Sequence, residues 1–468
     1  MAQNKISEML DGVACYPFHM PGHKRNTALT GDDFPYGRDI TEIAGSDNLH
    51  DASGVILSEC ERAARLWGAA SAHILVNGST CGILAAIRAY AGHDRGVVVA
   101  RNCHKSVYHG IELCRLQPTY IYPAIDPESG ICASITPAEV ESALAKAPDA
   151  KLVIVTSPTY EGVISDIAGI AAVAHAHGAL LLVDAAHGAH LGFLDFPAHP
   201  VSLGADVVIC SLHKTLPAPT QTALALIGKG CPDPGALACQ LAVFETSSPS
   251  YVLMEQAARC IRLLEQRGDE LYEEWEARLA SFICMVRAMR HLRLYFQEKR
   301  PACVWQFDYS KLVIGTRGTP LTGHALAQIL RDEYRIEVEM AASDYVIAMT
   351  SLADTDRGFA RLANALCEID AQTAASDCAP VLPILQANAV YAPWEVADRA
   401  SVAVPLEAAM ERVSAEYVWA YPPGIPLLVP GERLSKETCQ FLATLQSKGT
   451  ELHSTCGSLP QTLFIVED

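Results

Sequence analysis

Blocks of apolar residues alternate with mixed apolar and polar segments from position 55 to position 227. The short apolar runs are rich in β-branched residues, which is typical of buried strands. The segments between them repeat apolar residues at helical spacing. The predicted strands are 73–76, 96–100, 152–155, 180–183, 207–209 and 223–227, and the predicted helices are 55–67, 83–91, 106–114 and 167–177. Such alternation predicts an α/β fold with a largely parallel sheet covered on both faces.

Polar side chains follow the predicted strands where each strand ends. Ligands of parallel sheets bind beyond the carboxyl ends of the strands. A purely structural domain has no need for polar groups at several strand ends, so this edge is the expected functional site. The residues in question are Ser79, Thr80, His104, Tyr160, Asp184, His187 and the run from Ser211 to Lys214.

Lys214 comes directly after the predicted strand 207–209 and the polar residues Ser211 and His213. A lysine at the end of an apolar strand is poorly placed for packing. Its amine can be desolvated, which lowers its pKa and lets it form a Schiff base with an aldehyde. The alternative is an ordinary surface lysine at a strand end.

The segment 78–82, Gly-Ser-Thr-Cys-Gly, joins a predicted strand to a predicted helix. Free backbone N–H groups, two hydroxyls and the helix dipole make such a position suitable for a phosphate. The alternative is a simple helix cap, which Ser and Thr also favour. The segment lacks the lysine of a P-loop, and the chain has no Gly-x-Gly-x-x-Gly motif.

Asp184 ends an apolar strand, and a buried carboxylate needs a charged or strongly donating partner. A protonated pyridine nitrogen is one such partner; a helix cap or an ion pair with an arginine is another. A metal site with His187 and His190 is a further alternative, although no additional ligand motif is visible. The imidazole of His104 could stack on a flat ring or be a structural histidine.

A phosphate cradle, a carboxylate, a ring that can stack and a lysine are together the requirements of pyridoxal 5′-phosphate (PLP). The chain resembles the Orn/Lys/Arg decarboxylases, PLP enzymes of the aspartate-aminotransferase fold (fold type I), in a short form without an N-terminal wing domain. The resemblance is strongest to arginine decarboxylases. It covers nearly the whole chain and rests on Phe18-His-Met-Pro-Gly-His-Lys24, Asp39-Ile-Thr-Glu42, Asn48-Leu-His50, Leu75-Val-Asn-Gly-Ser-Thr80, Arg101-Asn-Cys-His-Lys-Ser106, Ser157-Pro-Thr-Tyr-Glu-Gly162, Asp184-Ala-Ala-His-Gly-Ala-His190, Ser211-Leu-His-Lys-Thr-Leu-Pro217, Thr246-Ser-Ser-Pro-Ser-Tyr251 and Tyr421-Pro-Pro-Gly-Ile-Pro426.

The resemblance implies a role for each site residue. Lys214 would carry the cofactor as a Schiff base, Asp184 would pair with the pyridinium nitrogen, and His104 would stack on the ring. Thr246 would reach the phosphate of a neighbouring subunit, which implies a homodimer or a higher oligomer with shared sites. The remaining cofactor-binding residues would be Ser79, Thr80, Cys81 through its amide, His187, Ser211 and His213. Leu212 and Ala185 depart from the commoner pattern of the family, which bears on substrate choice and tuning more than on activity.

The implied reaction is decarboxylation of a basic amino acid to an amine and CO₂, with arginine expected first and lysine or ornithine next. A cationic side chain needs acidic partners, and we expect these among Glu42, Asp47 and Glu432. No metal is expected. The alternatives are another fold type I PLP reaction, such as an aminotransferase or a carbon–sulfur lyase, and a PLP-binding regulatory protein without activity.

Composition indicates the partners and the cellular compartment of the protein. The chain has 468 residues and a formal net charge of −18, which argues against nucleic acid or an anionic membrane as a partner. Its 16 cysteines are scattered, with no Cys-x-x-Cys motif, as is typical of reduced thiols in a cytoplasmic protein. The expected domains are an N-terminal arm over 1–55, a large PLP-binding domain over 56–275, a small α/β domain over 276–375 and a C-terminal α+β domain over 376–468.

Overall fold

The computed structural model describes residues 15–30, 39–43, 46–297, 299–377, 381, 386, 388–420 and 424–467. Parts of three predicted features lie outside the described residues. These are the first 14 residues and positions 31–38 and 44–45 of the predicted arm, residues 378–380 near the start of the predicted C-terminal domain, and Tyr421 to Pro423 of the quoted 421–426 motif.

A seven-stranded sheet forms the centre of the large domain. Its strands are β1 Ser71–Leu75, β2 Gly96–Ala100, β3 Gln117–Ile121, β4 Leu152–Thr156, β5 Leu180–Asp184, β6 Val207–Ser211 and β7 Ala223–Ile227. Their order across the sheet is β1-β7-β6-β5-β4-β2-β3. Strand β7 runs antiparallel to both of its neighbours, and the other neighbouring pairs are parallel. The predicted fold, a mostly parallel sheet of the aspartate-aminotransferase type, is confirmed.

Helices cover both faces of this sheet. They are α1 Val55–Trp67, α2 Gly78–Tyr90, α3 Lys105–Leu113, α4 Pro137–Lys146, α5 Ile167–Ala176 and α6 Gly235–Phe244. Strand β3 and helices α4 and α6 were not predicted from the apolar pattern. Strand β3 contains Pro118, which cannot donate to a strand ladder, and it lies at the sheet edge, where that loss is tolerated. Helix α4 begins with a capping box formed by Thr136 and Glu139.

Helix α2 begins at Gly78, five residues before the predicted start. Gly78 has φ +73°, in the left-handed region that favours glycine, so the chain turns sharply out of β1 into the helix. Ser79 and Thr80 therefore lie in the first turn of α2, where backbone N–H groups have no partner within the helix. This position suits the anion site predicted from the sequence.

Helix α7, Tyr251–Val286, spans 36 residues and passes through the predicted boundary at 275/276. It leads to a four-stranded antiparallel sheet, here called the small sheet, with strands Arg293–Leu294, Lys311–Gly315, Tyr345–Met349 and Met340–Ala341 in that order across the sheet. Helices Gly323–Asp332 and Asp356–Gln372 accompany this sheet. The N-terminal strand Tyr16–Phe18 pairs with Ile336–Val338, so part of the predicted arm joins this region.

The C-terminal region contains short antiparallel strand pairs and the helix Lys436–Ser447. Strand Val418–Ala420 pairs with Pro426–Leu428 and Leu452–Ser454, and strand Ser401–Val404 pairs with Leu463–Val466. Strand Asn388–Ala389 pairs with Glu432–Arg433. The region has its own buried apolar cluster. The domain limits themselves remain predictions.

The remaining short elements are the α-helices Thr27–Thr30, Leu212–Thr215 and Pro393–Val396, the 3₁₀ helices Leu49–Asp51, Pro200–Leu203 and Leu406–Ala408, and the strand pair Val163–Ile164 with Gln306–Phe307. None of the helices in the described ranges combines the length and the apolar character that crossing a membrane requires.

Candidate active site

A cavity of about 470 Å³ opens at the carboxyl ends of the central strands. Nine of the predicted site residues line it, although their positions are spread over 136 residues of sequence. They are Ser79, Thr80, His104, Tyr160, Asp184, His187, Ser211, His213 and Lys214. The strand-end rule applied to the sequence therefore predicted residues that lie together at one cavity.

Lys214 lies on the short helix Leu212–Thr215, which directly follows β6. Its Nζ is 3.0 Å from Nε2 of His187. Burial lowers the pKa of the Lys214 amine, and the negative charges of Asp184 and Glu339 partly oppose that effect. A lowered pKa increases the fraction of uncharged amine, the form that attacks a carbonyl.

Asp184 is the last residue of β5 and only 3% of its surface is exposed. Its Oδ1 accepts a hydrogen bond from the Ala186 N–H at 3.1 Å. Burial raises the pKa of this carboxyl group, whereas Lys214 and the Ala186 N–H lower it. Within the described part of the chain no arginine forms an ion pair with Asp184, so the carboxylate is suited to a cationic ligand group.

His104 is the N-cap residue of α3. Its Nδ1 accepts a hydrogen bond from the Ser106 N–H at 3.2 Å and lies 2.9 Å from Ser106 Oγ. Burial and the nearby Lys214 lower the pKa of His104 to about 3, so the imidazole is neutral at physiological pH. A neutral flat ring in the cavity wall fits the predicted stacking role.

The start of α2 forms the polar end of the cavity. Ser79 Oγ lies 2.6 Å from Ser211 Oγ, and the exposed Thr80 also lines the cavity. The thiol of Cys81 points away and donates to the Gly78 carbonyl, and burial raises its pKa to about 12. The ring of His213 is held in place by a contact to the backbone, since its Nδ1 lies 3.0 Å from the Thr222 carbonyl oxygen.

Two buried polar atoms of the cavity lining have no hydrogen-bond partner among the described residues: Nδ1 of His187 and Oδ1 of Asn102. Unsatisfied buried polar atoms are costly, so a polar ligand in the cavity would stabilise them. Asn102 was not predicted as a site residue, although it lies two residues after the end of β2 and belongs to the quoted 101–106 motif. An anion site, a buried carboxylate, a neutral ring and an amine at one cavity together fit PLP.

Thr246 and Glu42 are exposed and do not line the cavity. Thr246 nevertheless lies beside the start of α2, because its N–H donates to Oδ1 of Asn77 at 3.1 Å. Its carbonyl oxygen is 2.8 Å from Nε2 of His50. An exposed position next to the polar end of the cavity is compatible with a role toward a second subunit, which stays a prediction.

Asp47 and Glu432, predicted to bind the substrate side chain, have other partners in the structure. The carboxylate of Asp47 accepts four backbone N–H groups around the start of α1, which lowers its pKa to about 2. Both oxygens of the buried Glu432 face the buried guanidinium of Arg101, at 3.1–3.3 Å. Neither residue lines the cavity, so their locations lend no support to a substrate role.

His190 does not join His187 and Asp184. It is fully buried in the core, where its Nε2 lies 3.0 Å from Oδ2 of Asp308. The described residues contain no group of three or more His, Cys, Asp or Glu side chains that could hold a metal ion. The structure thus provides no support for the alternative metal site.

Fold and site together define a PLP enzyme of fold type I. Solved structures with the same fold include the lysine decarboxylase LdcF of Francisella novicida, with a TM-score of 0.77 at 17% identity over 97% of this chain and 82% of that one. The ureidoglycine-glyoxylate aminotransferase of Bacillus subtilis shares the fold over 68% of this chain and 84% of that one, with a TM-score of 0.53 at 16% identity.

Sequence comparison gives the family. The profile described as "Orn/Lys/Arg decarboxylase, major domain" matches residues 13–285, and the matching C-terminal domain profile covers residues 372–452. The arginine decarboxylase of Bacillus subtilis is 30% identical over 444 residues, which cover 91% of this chain and 89% of that protein. The arginine decarboxylase of Halalkalibacterium halodurans is 28% identical over 494 residues, covering 100% and 99% of the two chains.

The chain belongs to the Orn/Lys/Arg decarboxylase family. It is a PLP-dependent decarboxylase of a basic amino acid, as the resemblance implied.

Proposed function

We propose that the protein decarboxylates arginine to the corresponding amine and CO₂. The observation that carries the chemistry is the single cavity that brings together Lys214, Asp184, His104 and the start of α2. The choice of arginine is supported by the relatives of similar length, several of which are named arginine decarboxylases. Lysine is the second candidate, because the structural neighbours include lysine decarboxylases.

The cofactor residues have separate tasks in this proposal. When bound, PLP supplies an electron sink for cleavage of the carboxylate bond at the substrate Cα. The N–H groups and hydroxyls at Ser79 and Thr80 hold the phosphate, and Asp184 keeps the pyridine nitrogen protonated. The neutral ring of His104 fixes the plane of the cofactor.

Lys214 and His187 handle protons. Nζ of Lys214 lies 3.0 Å from Nε2 of His187, so the two nitrogens form a donor and acceptor pair. This pair is placed to deliver the proton that replaces CO₂ on the product. The described residues that line the cavity include no arginine, the group an aminotransferase needs to clamp a substrate carboxylate, which favours decarboxylation over transamination.

The proposal includes a homodimer in which Thr246 reaches the phosphate of the other subunit's cofactor. It also includes a cytoplasmic location, which is supported by the described cysteines, since none of them forms a disulfide.

Release of labelled CO₂ from carboxyl-labelled arginine, lysine and ornithine by the PLP-loaded protein tests the proposal. We expect release from all or some of the three, with the highest kcat/KM for arginine. Lys214→Ala should reduce release by at least about 1,000-fold. The matched change Lys229→Ala, at an exposed position, should have no effect. Absence of CO₂ from every basic amino acid, or normal turnover by Lys214→Ala, would overturn the proposal.

A further inference from the structure

Glu161 is a carboxylate of the cavity wall that no predicted role uses. It follows β4 in the segment 157–162, lines the cavity and is only 9% exposed. The described residues that line the cavity include two acids, Asp184 and Glu161. Since Asp184 is engaged with the cofactor in the proposed function, Glu161 is available for the substrate.

The carboxylate of Glu161 is held by two neutral hydroxyls. Tyr345 OH donates to Oε1 and Thr159 Oγ1 donates to Oε2, both at 3.0 Å. Tyr345 belongs to the small sheet and Thr159 to the segment that follows β4, so two separate parts of the fold fix the orientation of the Glu161 carboxylate. Two hydrogen bonds leave about half of the acceptor capacity of a carboxylate unused.

Glu161 forms no ion pair with any cation in the described part of the chain. This distinguishes it from Glu432, which faces Arg101, and from Asp308, which faces His190 and Lys311. The buried lysines near the cavity are influenced by other acids: Glu339 and Asp184 act on Lys214, and Glu339 and Asp308 act on Lys311. A buried carboxylate without a cation is costly, so this position is suited to a cationic ligand.

Contacts along one wall connect Glu161 to the reactive amine. His187 Nε2 lies 3.0 Å from Lys214 Nζ, and the His187 ring packs on the ring of Tyr160 with centroids 4.5 Å apart. Tyr160 is the residue directly before Glu161 and also lines the cavity. A substrate whose α-amine is near Lys214 can therefore extend its side chain along this wall.

We infer that Glu161 binds the cationic end of the substrate side chain and sets the preference for basic amino acids. Thr159 and Tyr345 are positioning residues, because they hold the carboxylate and need not touch the substrate. The planar guanidinium of arginine matches the two oxygens of a fixed carboxylate, which a single ammonium group cannot do. This inference rests on the proposed function and specifies the substrate contact within that site.

Glu161→Gln tests the inference because it removes the charge and keeps the shape. We expect kcat/KM for arginine to fall about 100-fold, while citrulline, the neutral isostere, loses less than about threefold. The dissociation constant of the product amine, agmatine, measured by calorimetry should rise by a similar factor. The cofactor content and its visible absorbance should not change. Glu128→Gln, an exposed glutamate of the surface pair with Arg293, serves as the matched control and should behave as wild type.

The positioning residues give a second test that does not depend on the folding of Glu161→Gln. Tyr345→Phe and Thr159→Val should each raise KM for arginine about three- to tenfold with kcat within twofold. Wild-type turnover of arginine combined with unchanged agmatine affinity in Glu161→Gln would overturn this inference and leave the proposed function intact. Wild-type protein that releases CO₂ from no basic amino acid would overturn the proposed function itself. If lysine is the better substrate, lysine and norleucine replace arginine and citrulline, with cadaverine as the amine.

Discussion

Nζ of Lys214 lies 3.0 Å from Nε2 of His187, and the other ring nitrogen of His187 is buried without a partner among the described residues. Burial, followed by the charge of Lys214, holds the pKa of His187 well below its usual range. The imidazole is therefore neutral, and its Nε2 can accept a hydrogen bond from the lysine amine. This contact links the reactive nitrogen to the wall that carries Tyr160 and Glu161.

His187→Phe should lower kcat about 100-fold while the protein keeps its cofactor. Phenylalanine retains a flat ring against Tyr160 and removes the nitrogen that contacts Lys214, so general acid–base assistance is lost. Single-turnover release of labelled CO₂ measures the effect. His109→Phe is the matched control, because His109 packs on Tyr417 and does not line the cavity. A wild-type rate in His187→Phe would exclude a role of this nitrogen in proton transfer.

Asp184→Asn should reduce kcat by about 1,000-fold or more. An amide of the same shape does not stabilise a protonated pyridine nitrogen, so the electron sink is weakened. In the cofactor-free protein the free energy of unfolding should change little or increase, because a buried carboxylate without an ion-pair partner on an arginine of the described residues is replaced by a neutral group. Turnover assays and urea unfolding check the two effects separately. Asp195→Asn, at an exposed position, is the control.

Thr246→Ala and Lys214→Ala subunits should complement each other if Thr246 serves the neighbouring subunit. A mixed dimer contains one site with both Lys214 and Thr246 intact, so random mixing should restore about a quarter of the activity of a wild-type dimer. The measurement is CO₂ release after the two variants are unfolded together and refolded. Activity no higher than that of the separate variants would argue that each site is complete within one chain.

Glu432→Gln should destabilise the fold by about 3–5 kcal/mol, because it leaves the buried guanidinium of Arg101 without its counter-charge. Urea unfolding measures the loss. KM for arginine should remain unchanged, since Glu432 does not line the cavity. A large rise in KM without a loss of stability would instead support the substrate role predicted from the sequence.

His199 should make the protein less stable in acid. Burial lowers its pKa to about 3 in the folded state, so the unfolded chain binds more protons between pH 3 and the ordinary histidine pKa of about 6.5. The stabilisation is fully present above pH 6.5 and is lost as the pH falls, at up to about 1.4 kcal/mol per pH unit. His104 and His213, whose pKa values are also lowered, act in the same direction.

His199→Asn should flatten this dependence, since asparagine can still accept the Val201 N–H hydrogen bond but does not titrate. Urea unfolding at several pH values from 4 to 6.5 gives the slopes. His177→Asn, at an exposed helix end, should leave the slope unchanged. Equal slopes in wild type and His199→Asn would contradict the prediction.

The apolar pattern predicted the central sheet and the position of the site because both follow from local periodicity and from the strand-end rule. Strand β3 was not predicted because it contains Pro118 and partly exposed residues, which do not form an apolar run. The acids of the site were harder to predict, since their roles depend on distant partners. The carboxylate of Glu161 is held by Tyr345, 184 residues later, and that of Glu432 by Arg101, 331 residues earlier.

Asp47 illustrates a different difficulty. It was expected among the acids that bind the cationic side chain, but its carboxylate is used locally by the N–H groups of Asn48, Ser53, Gly54 and Ile56. The sequence predicted a helix that starts at Val55. Asp47 lies eight residues before that start, and its carboxylate accepts N–H groups there. The loop that brings Asp47 back to this start is set by its left-handed backbone, with φ +70°, which a periodic pattern does not reveal.

The ion pair between Arg101 and Glu432 also determines how the chain can be divided. Arg101 lies three residues before His104, so the loop that carries the stacking ring is anchored by the C-terminal region. Truncation after residue 375 would expose the apolar surface of the large domain. It would also leave the buried guanidinium of Arg101 without its counter-charge. The large domain therefore depends on the C-terminal region, and a protein without that region should fail to form a working cofactor site.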